Sequence, residues 1–285
     1  MLYQPSDLRS RAGFGSAPVV GNRDVPGAGI RVAGVRPQGS STWGPTVAYV
    51  GKLSLDKGVH CLVAALPAIA RRVPDVRLLL IGEGVAQASL SKMVVALEQG
   101  DLDGAAGALA DALVAPQEQP WMDPVTLFWA DVDAVAYLAA ARVAELTKRV
   151  VFAGHLPHEA LAQVLPAVDL VVIPSLVKEA FPLVSLEALA SGVLPIGPYR
   201  GGLMPILDEV AAAVEPLADL IRLDPRPEAF VADLADKVPR ILRYLTAPGA
   251  REHVAYQCRR LAVSRYEWDQ VVEQLEQAYR EVLNS

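Results

Sequence analysis

Five short apolar runs, each closed by glycine or proline and each followed by a helical pattern, constrain this chain more than any other feature. They are Val47–Val50, Val76–Ile81, Val150–Phe152, Asp169–Ile173 and Leu194–Ile196. Runs this short, without polar alternation, predict strands buried on both faces, as in a parallel sheet covered by helices. The first unit reads as strand, helix, strand. Its helix runs from Gly58 to about Arg72 and carries Val59, Leu62, Val63, Leu66 and Ile69 on one face. The spacing suits a right-handed crossover between parallel strands. Pro67 falls inside that helix and is expected to kink or split it.

The expected fold class is therefore α/β, an open and mainly parallel sheet with a helical insertion. The insertion spans about 85–148, where Ala86–Gln99, Asp103–Leu113 and Val125–Leu146 read as helices. Phe128, Val132, Val135, Ala139, Val143 and Leu146 would share one face of the last. Its readings are a solubilising insertion, a lid or an oligomer contact. A turn at Arg200-Gly201-Gly202 and short elements up to Leu223 come next, then C-terminal helices over about 227–283: Pro227–Thr246, Ala250–Val263 and a last one from Trp268. Val271, Val272, Leu275, Tyr279, Val282 and Leu283 form a stripe on that last helix, which needs a surface to pack on, such as another domain. Residues 1–44 are rich in Gly, Pro and Ser without a periodic apolar face, so a flexible tail, linker or remnant is expected there, with the folded domain over 45–285.

A chain of 285 residues can bury a full core as one large domain or two small ones. The formal charge of −6 argues against a nucleic acid polymer as partner but permits a local phosphate site. Cys61 and Cys258 lie far apart, which disfavours a disulfide framework and fits a reducing cytoplasm. No segment reaches the roughly 18–20 apolar residues of a membrane span. The first ten residues lack a basic start followed by an apolar run, so no signal peptide is expected. There is no Gly-x-Gly-x-x-Gly after a strand, no Gly-x-x-x-x-Gly-Lys-Ser/Thr and no Gly-x-Ser-x-Gly. His155 and His158 lack further ligands nearby, and His60 and His253 do not make a zinc pattern with Cys61 and Cys258, so no metal is expected.

Open sheets of this kind bind ligands beyond the carboxyl ends of their strands. Lys52 and Lys57 flank the loop after the first strand. Two ammonium groups beside a helix N-terminus make a diphosphate site. The alternative is a solvated pair, with Lys57 bridged to Asp56. Glu179 precedes a helix over Leu183–Ala190 and Glu187 lies about one turn inside it. A carboxylate can accept from both vicinal hydroxyls of a sugar or ribose. The leading N–H groups of Leu183 and Val184 can hold a phosphate. The competing reading makes Glu179 and Ser185 first-turn residues and Glu187 a solvated face. Gly82-Glu83-Gly84 and Gly201-Gly202 permit tight turns or close backbone approach. His155 either lines a pocket near a base or is a loop histidine bonded to backbone.

Taken together these blocks resemble the C-terminal donor-binding domain of GT-B glycosyltransferases of family 4. Val50-Gly51-Lys52-Leu53 with Lys57-Gly58 resembles the family's GRL…KG loop, and Leu80-Ile81-Gly82-Glu83-Gly84 its IGxG strand end. Pro174–Gly192 resembles the PS…EGFGLVxLEAMAxG block with its two glutamates eight apart. Gly201-Gly202 follows, and Tyr266-Glu267-Trp268 resembles the closing FSW segment, so the likeness covers about 46–283. It implies one Rossmann-like half of a GT-B fold that binds a nucleotide diphosphate sugar, of UDP, GDP or ADP type, without a metal. By position, Lys52 and Lys57 would contact the diphosphate, with Gly51 and Gly82 beside them, and Glu187 the ribose. Glu179 and Lys57 would act at the reacting sugar, Leu183 and Val184 would meet phosphate, and Gly154 and His155 would lie against the base. The family usually has arginine where Lys52 stands, and Ala180 and Pro182 replace its two glycines. Its reaction retains configuration and needs an N-terminal acceptor domain, expected here to be missing or supplied by a complementary chain. Alone, the chain is expected to bind donor weakly and turn over slowly or not at all. A homo-oligomer and a peripheral membrane acceptor are also compatible with the resemblance. The alternatives are a non-catalytic nucleotide-binding or partner module, and a nucleotide-sugar epimerase-like enzyme.

Overall fold

Six parallel strands form one sheet in the order β3-β2-β1-β4-β5-β6 in a computed structural model that describes residues 44–113 and 115–283. The tail expected over residues 1–44 thus lies outside the described residues, Gly44 excepted. The strands are β1 (Thr46–Val50), β2 (Arg77–Ile81), β3 (Val150–Gly154), β4 (Leu170–Val172), β5 (Leu194–Pro198) and β6 (Arg222–Leu223). β1 runs beside β2 over its whole length, Thr46 opposite Arg77 through Val50 opposite Ile81, and beside β4 at Val47 and Ala48. Leu78, Leu79 and Leu80 are all buried although they point alternately to opposite faces, because helices cover both. Removing one such side chain from water contributes roughly 1.5–3 kcal/mol. β6 went unread in the sequence: two residues carry no period of their own and pair only at Gly197 and Pro198.

Thirteen helices occur among the described residues: α1 (Val59–Arg72), α2 (Gln87–Gln99), α3 (Leu102–Ala110), α4 (Asp123–Asp131), α5 (Ala134–Ala144), α6 (Leu146–Arg149), α7 (His158–Val164), α8 (Leu183–Ala190), α9 (Leu203–Ala213), α10 (Ala218–Ile221), α11 (Pro227–Leu245), α12 (Ala250–Tyr266) and α13 (Trp268–Leu283). α1 continues through Pro67 without splitting. The helix expected over Val125–Leu146 is instead three. Asp133 accepts hydrogen bonds from the Val135 and Ala136 N–H groups and so caps a new helix, α5. The segments on either side of that break meet at 107°. The shared face read from Phe128 to Leu146 is lost with it. Phe128 and Leu146 are buried, whereas Val135 and Val143 are 81% and 84% exposed.

The insertion is a structural layer rather than a solubilising appendage. α4 packs on α11, and α5 packs on α1 and α2. Val125, Phe128, Trp129 and Tyr137 are buried there. The Tyr137 hydroxyl donates to the Ala64 carbonyl of α1 at 2.8 Å and accepts from Trp129 Nε1 at 3.1 Å. A 3₁₀ segment, Pro116–Met122, reaches the turn at Leu55–Lys57. There the buried His60 ring meets the Trp121 carbonyl through Nε2 at 2.6 Å. Both cysteines are free and buried.

Asp169 ties three elements together at the amino ends of the strands. It accepts from the Thr46 N–H at 2.8 Å and pairs with Arg251 of α12 at 2.6 Å. α12 packs on α8 and α9, but α13 buries none of its side chains, and Trp268 is 80% exposed. No single described helix is long and apolar enough to cross a membrane.

Candidate functional site

The sheet order reverses direction between β1 and β4, and ligands of open α/β sheets bind beyond the strand ends at that point. The loops leaving these two strands are locked together there. Gly58 takes a φ of +70°, and a Cβ on it would stand 1.9 Å from the Pro174 carbonyl oxygen. Only glycine fits such a conformation and such an approach. The Leu176 N–H donates to the Asp56 carbonyl at 2.8 Å beside it. Gly51, Gly82 and Gly154 line up across the ends of β1, β2 and β3. The Gly51 N–H donates to Ile81 O at 2.9 Å and the Gly82 N–H to Gly154 O at 2.8 Å.

Lys57 and Glu179 face each other across this junction, Nζ to Oε1 at 2.8 Å, both partly exposed. The reading that pairs Lys57 with Asp56 does not hold, because the β4 loop brings Glu179 within reach of the ammonium. Tyr49 lies buried nearby and donates its hydroxyl to Lys52 O at 2.6 Å. Burial above all, then the Asp56 and Glu179 charges, pushes the Tyr49 phenol well above its ordinary range, so it stays neutral. Lys52 itself is exposed, and its ammonium meets no carboxylate among the described residues.

Glu179 is fixed by its own backbone as well. Its carbonyl accepts from the Gly202 N–H at 2.8 Å, and a Cβ on Gly202 would stand 1.8 Å from Ala180 O. The Arg200-Gly201-Gly202 turn after β5 therefore seats the loop that carries Glu179. Arg200 adds a hydrogen bond from Nη2 to Ser175 O at 2.7 Å. α8 starts directly after Pro182, whose carbonyl accepts from both the N–H and the hydroxyl of Ser185 at 2.9 and 2.6 Å. The first-turn reading of Ser185 is thus correct. The Leu183 and Val184 N–H groups precede the first intrahelical bond and point out of the helix end.

Glu187 meets a residue that was not selected as a site candidate. His158, at the start of α7, places Nδ1 3.4 Å from Glu187 Oε1. His155 is exposed, and no described group bonds its ring. The Phe181 ring, in the loop before α8, lies 6.3 Å from that of Tyr266, the last residue of α12. The structure thus joins Lys57 to Glu179 and Glu187 to His158. It leaves Lys52 and His155 open to solvent.

No group of three or more His, Cys, Asp or Glu among the described residues is placed to hold a metal. In chemical terms the loops at these strand ends offer an ammonium, two carboxylates and a helix N-terminus, groups suited to phosphate and vicinal hydroxyls.

The family model described as glycosyl transferases group 1 matches residues 136–214, the part that holds Glu179, Glu187 and the α8 N-terminus. The chain is 27% identical over 231 residues to glycogen synthase of Mycobacterium tuberculosis, covering 81% of this chain and 41% of that protein. It is 25% identical over 258 residues to phosphatidyl-myo-inositol mannosyltransferase of the same species, covering 88% and 50%. The chain thus spans about half the length of these curated relatives or less. Among solved structures, the pneumococcal O-GlcNAc transferase GtfA in complex with UDP and GlcNAc superposes with a TM-score of 0.50 at 14% identity, over 86% of this chain and 38% of that one. The fold is that of the Rossmann-like C-terminal domain of GT-B glycosyltransferases.

Proposed function

We propose that residues 45–285 are the donor-binding domain of a retaining glycosyltransferase, taking a nucleoside diphosphate sugar across the junction of β1 and β4. The observation that carries this reading is the Lys57–Glu179 pair at 2.8 Å, which spans that junction between two loops locked by Gly58 and Gly202. In the free protein the ammonium is held by a carboxylate. A diphosphate competes for it, and Glu179 is then released toward the hydroxyls of the donor sugar. Glu187 exchanges its His158 contact for the ribose in the same way. The α8 N-terminus, with the Leu183 and Val184 N–H groups, receives a phosphate oxygen.

Transfer would break the bond between the sugar's anomeric carbon and the phosphate oxygen, and form the new bond to the acceptor oxygen on the same face. The acceptor proton passes to the departing phosphate. Lys57 and the α8 N–H groups stabilise the charge that develops on that leaving group. The acceptor side of the cleft is assigned to a further domain or a complementary chain. The apolar stripe of α13, exposed along its whole length, is the surface that favours such a partner.

Titration calorimetry with UDP, GDP and ADP on the parent, Lys57→Ala and Glu187→Ala tests the site. UDP is the first probe, since GtfA holds it. One nucleotide should bind the parent and lose about tenfold or more on each substitution, as expected for a charge-assisted contact worth about 1.5–3 kcal/mol. Equal binding by parent and both variants would overturn the assignment.

A further inference from the structure

Arg200 is a half-buried cation without a counter-ion. It forms no ion pair with any carboxylate among the described residues, its Nε is buried without a partner, and Nη2 donates only to the Ser175 carbonyl. Burial alone pulls its pKa below the ordinary value, with the Cys61 thiol opposing. A charge taken out of water without a partner is costly, and such a cost is retained where a ligand brings the opposite charge. Arg200 stands where that ligand is expected. The loop that accepts its hydrogen bond at Ser175 carries Glu179, bonded to Lys57, four residues on. The glycines that follow it seat the same loop.

We propose that Arg200 is an oxyanion-binding residue of this site, donating hydrogen bonds to a phosphate or carboxylate oxygen of the donor substrate. The identity of the ligand rests on the reading of the site as a nucleotide-sugar site. A planar guanidinium grips an oxyanion with two parallel hydrogen bonds, which an ammonium cannot do. In this chain a guanidinium stands just beyond the end of β5, bonded to the Ser175 carbonyl, and the loop after β1 contributes the ammonium groups of Lys52 and Lys57.

The test is titration calorimetry on the whole chain with inorganic pyrophosphate, uridine, UDP, UDP-glucose and UDP-glucuronate, comparing the parent with Arg200→Met, Arg200→Lys and Lys92→Met. Arg200→Met should weaken pyrophosphate and UDP about 10- to 100-fold and leave uridine unchanged, and Arg200→Lys should recover part of the loss. Lys92→Met, an exposed lysine of α2 outside the site, should change UDP binding less than about threefold. Weakening of every phosphate ligand assigns the contact to phosphate, and weakening confined to UDP-glucuronate assigns it to a sugar carboxylate. Binding of all ligands by Arg200→Met at parental affinity overturns the proposal while the nucleotide reading stands. If the parent binds pyrophosphate through Arg200 but no nucleotide, the nucleotide reading falls and the oxyanion site stands. If the parent binds none of the ligands, both fall. Should Arg200→Met fail to fold, Arg200→Lys decides, and parental affinity of that variant for pyrophosphate and UDP-glucuronate alike is again a refutation.

Discussion

Mild acid should weaken the fold through one histidine. His60 sits fully buried in the first turn of α1, with Nε2 on Trp121 O and Nδ1 without a partner among the described residues. Burial lowers its pKa from 6.5 to about 4, with the Trp121 carbonyl opposing. The unfolded chain therefore binds a proton between these values that the folded chain refuses. Stability is complete above the unfolded value and is lost as the pH falls toward the folded one. The difference of about 2.5 units corresponds to about 3 kcal/mol at the acid end. Urea unfolding of the parent and His60→Leu across this range isolates the effect, because every other titrating group is common to both. At about pH 7 the variant should be less stable by about 1 kcal/mol, the net worth of the lost Trp121 bond. That gap should close as the pH falls, and reverse by about pH 4.5. Two stability curves that stay parallel from neutral to acid would refute the reasoning.

Three further outcomes can be checked by standard unfolding and hydrodynamic measurements. Gly58→Ala combines a left-handed backbone with a clash at Pro174 O, so a urea melt should show a loss of at least about 2 kcal/mol. Asp169→Ala removes the carboxylate partner of Arg251, which keeps its bond to Val168 O, and leaves the Thr46 N–H unpaired, and should cost about 2–4 kcal/mol by the same measurement. Deletion of residues 267–285 removes no buried side chain among the described residues, so calorimetry should find the melting temperature within about 3 °C, while sedimentation should show less association at high concentration.

The sheet was legible because Leu78–Ile81 and Leu170–Ile173 are uninterrupted apolar runs with Gly or Pro behind them. Local pattern and local structure agree at those places. The insertion was misread where one polar residue outweighed the period. Asp133 lies in a helical pattern, yet its carboxylate caps a new helix and turns Val135 and Val143 outward. Lys57, Glu179 and Glu187 stood out singly as candidates, from their type and their place after a strand. Their pairing was not legible, since Lys57 meets Glu179, and Glu187 meets His158, only once the order of the strands is known. Arg200 carried no signal beyond standing before two glycines. Its importance lies in the absence of a counter-charge, which appears only with the packing.

The Lys57–Glu179 contact closes a loop of 122 residues that includes the whole insertion. Neither a nascent chain nor a partly folded one can present this pair, so affinity for ligand is a property of the completed sheet alone. Ligand then acts as a clasp on the native state. At a hundredfold excess over its dissociation constant it would add about 2.7 kcal/mol by mass action. Thermal shift with a nucleotide library would therefore report both which ligand fits and whether the insertion has folded into place.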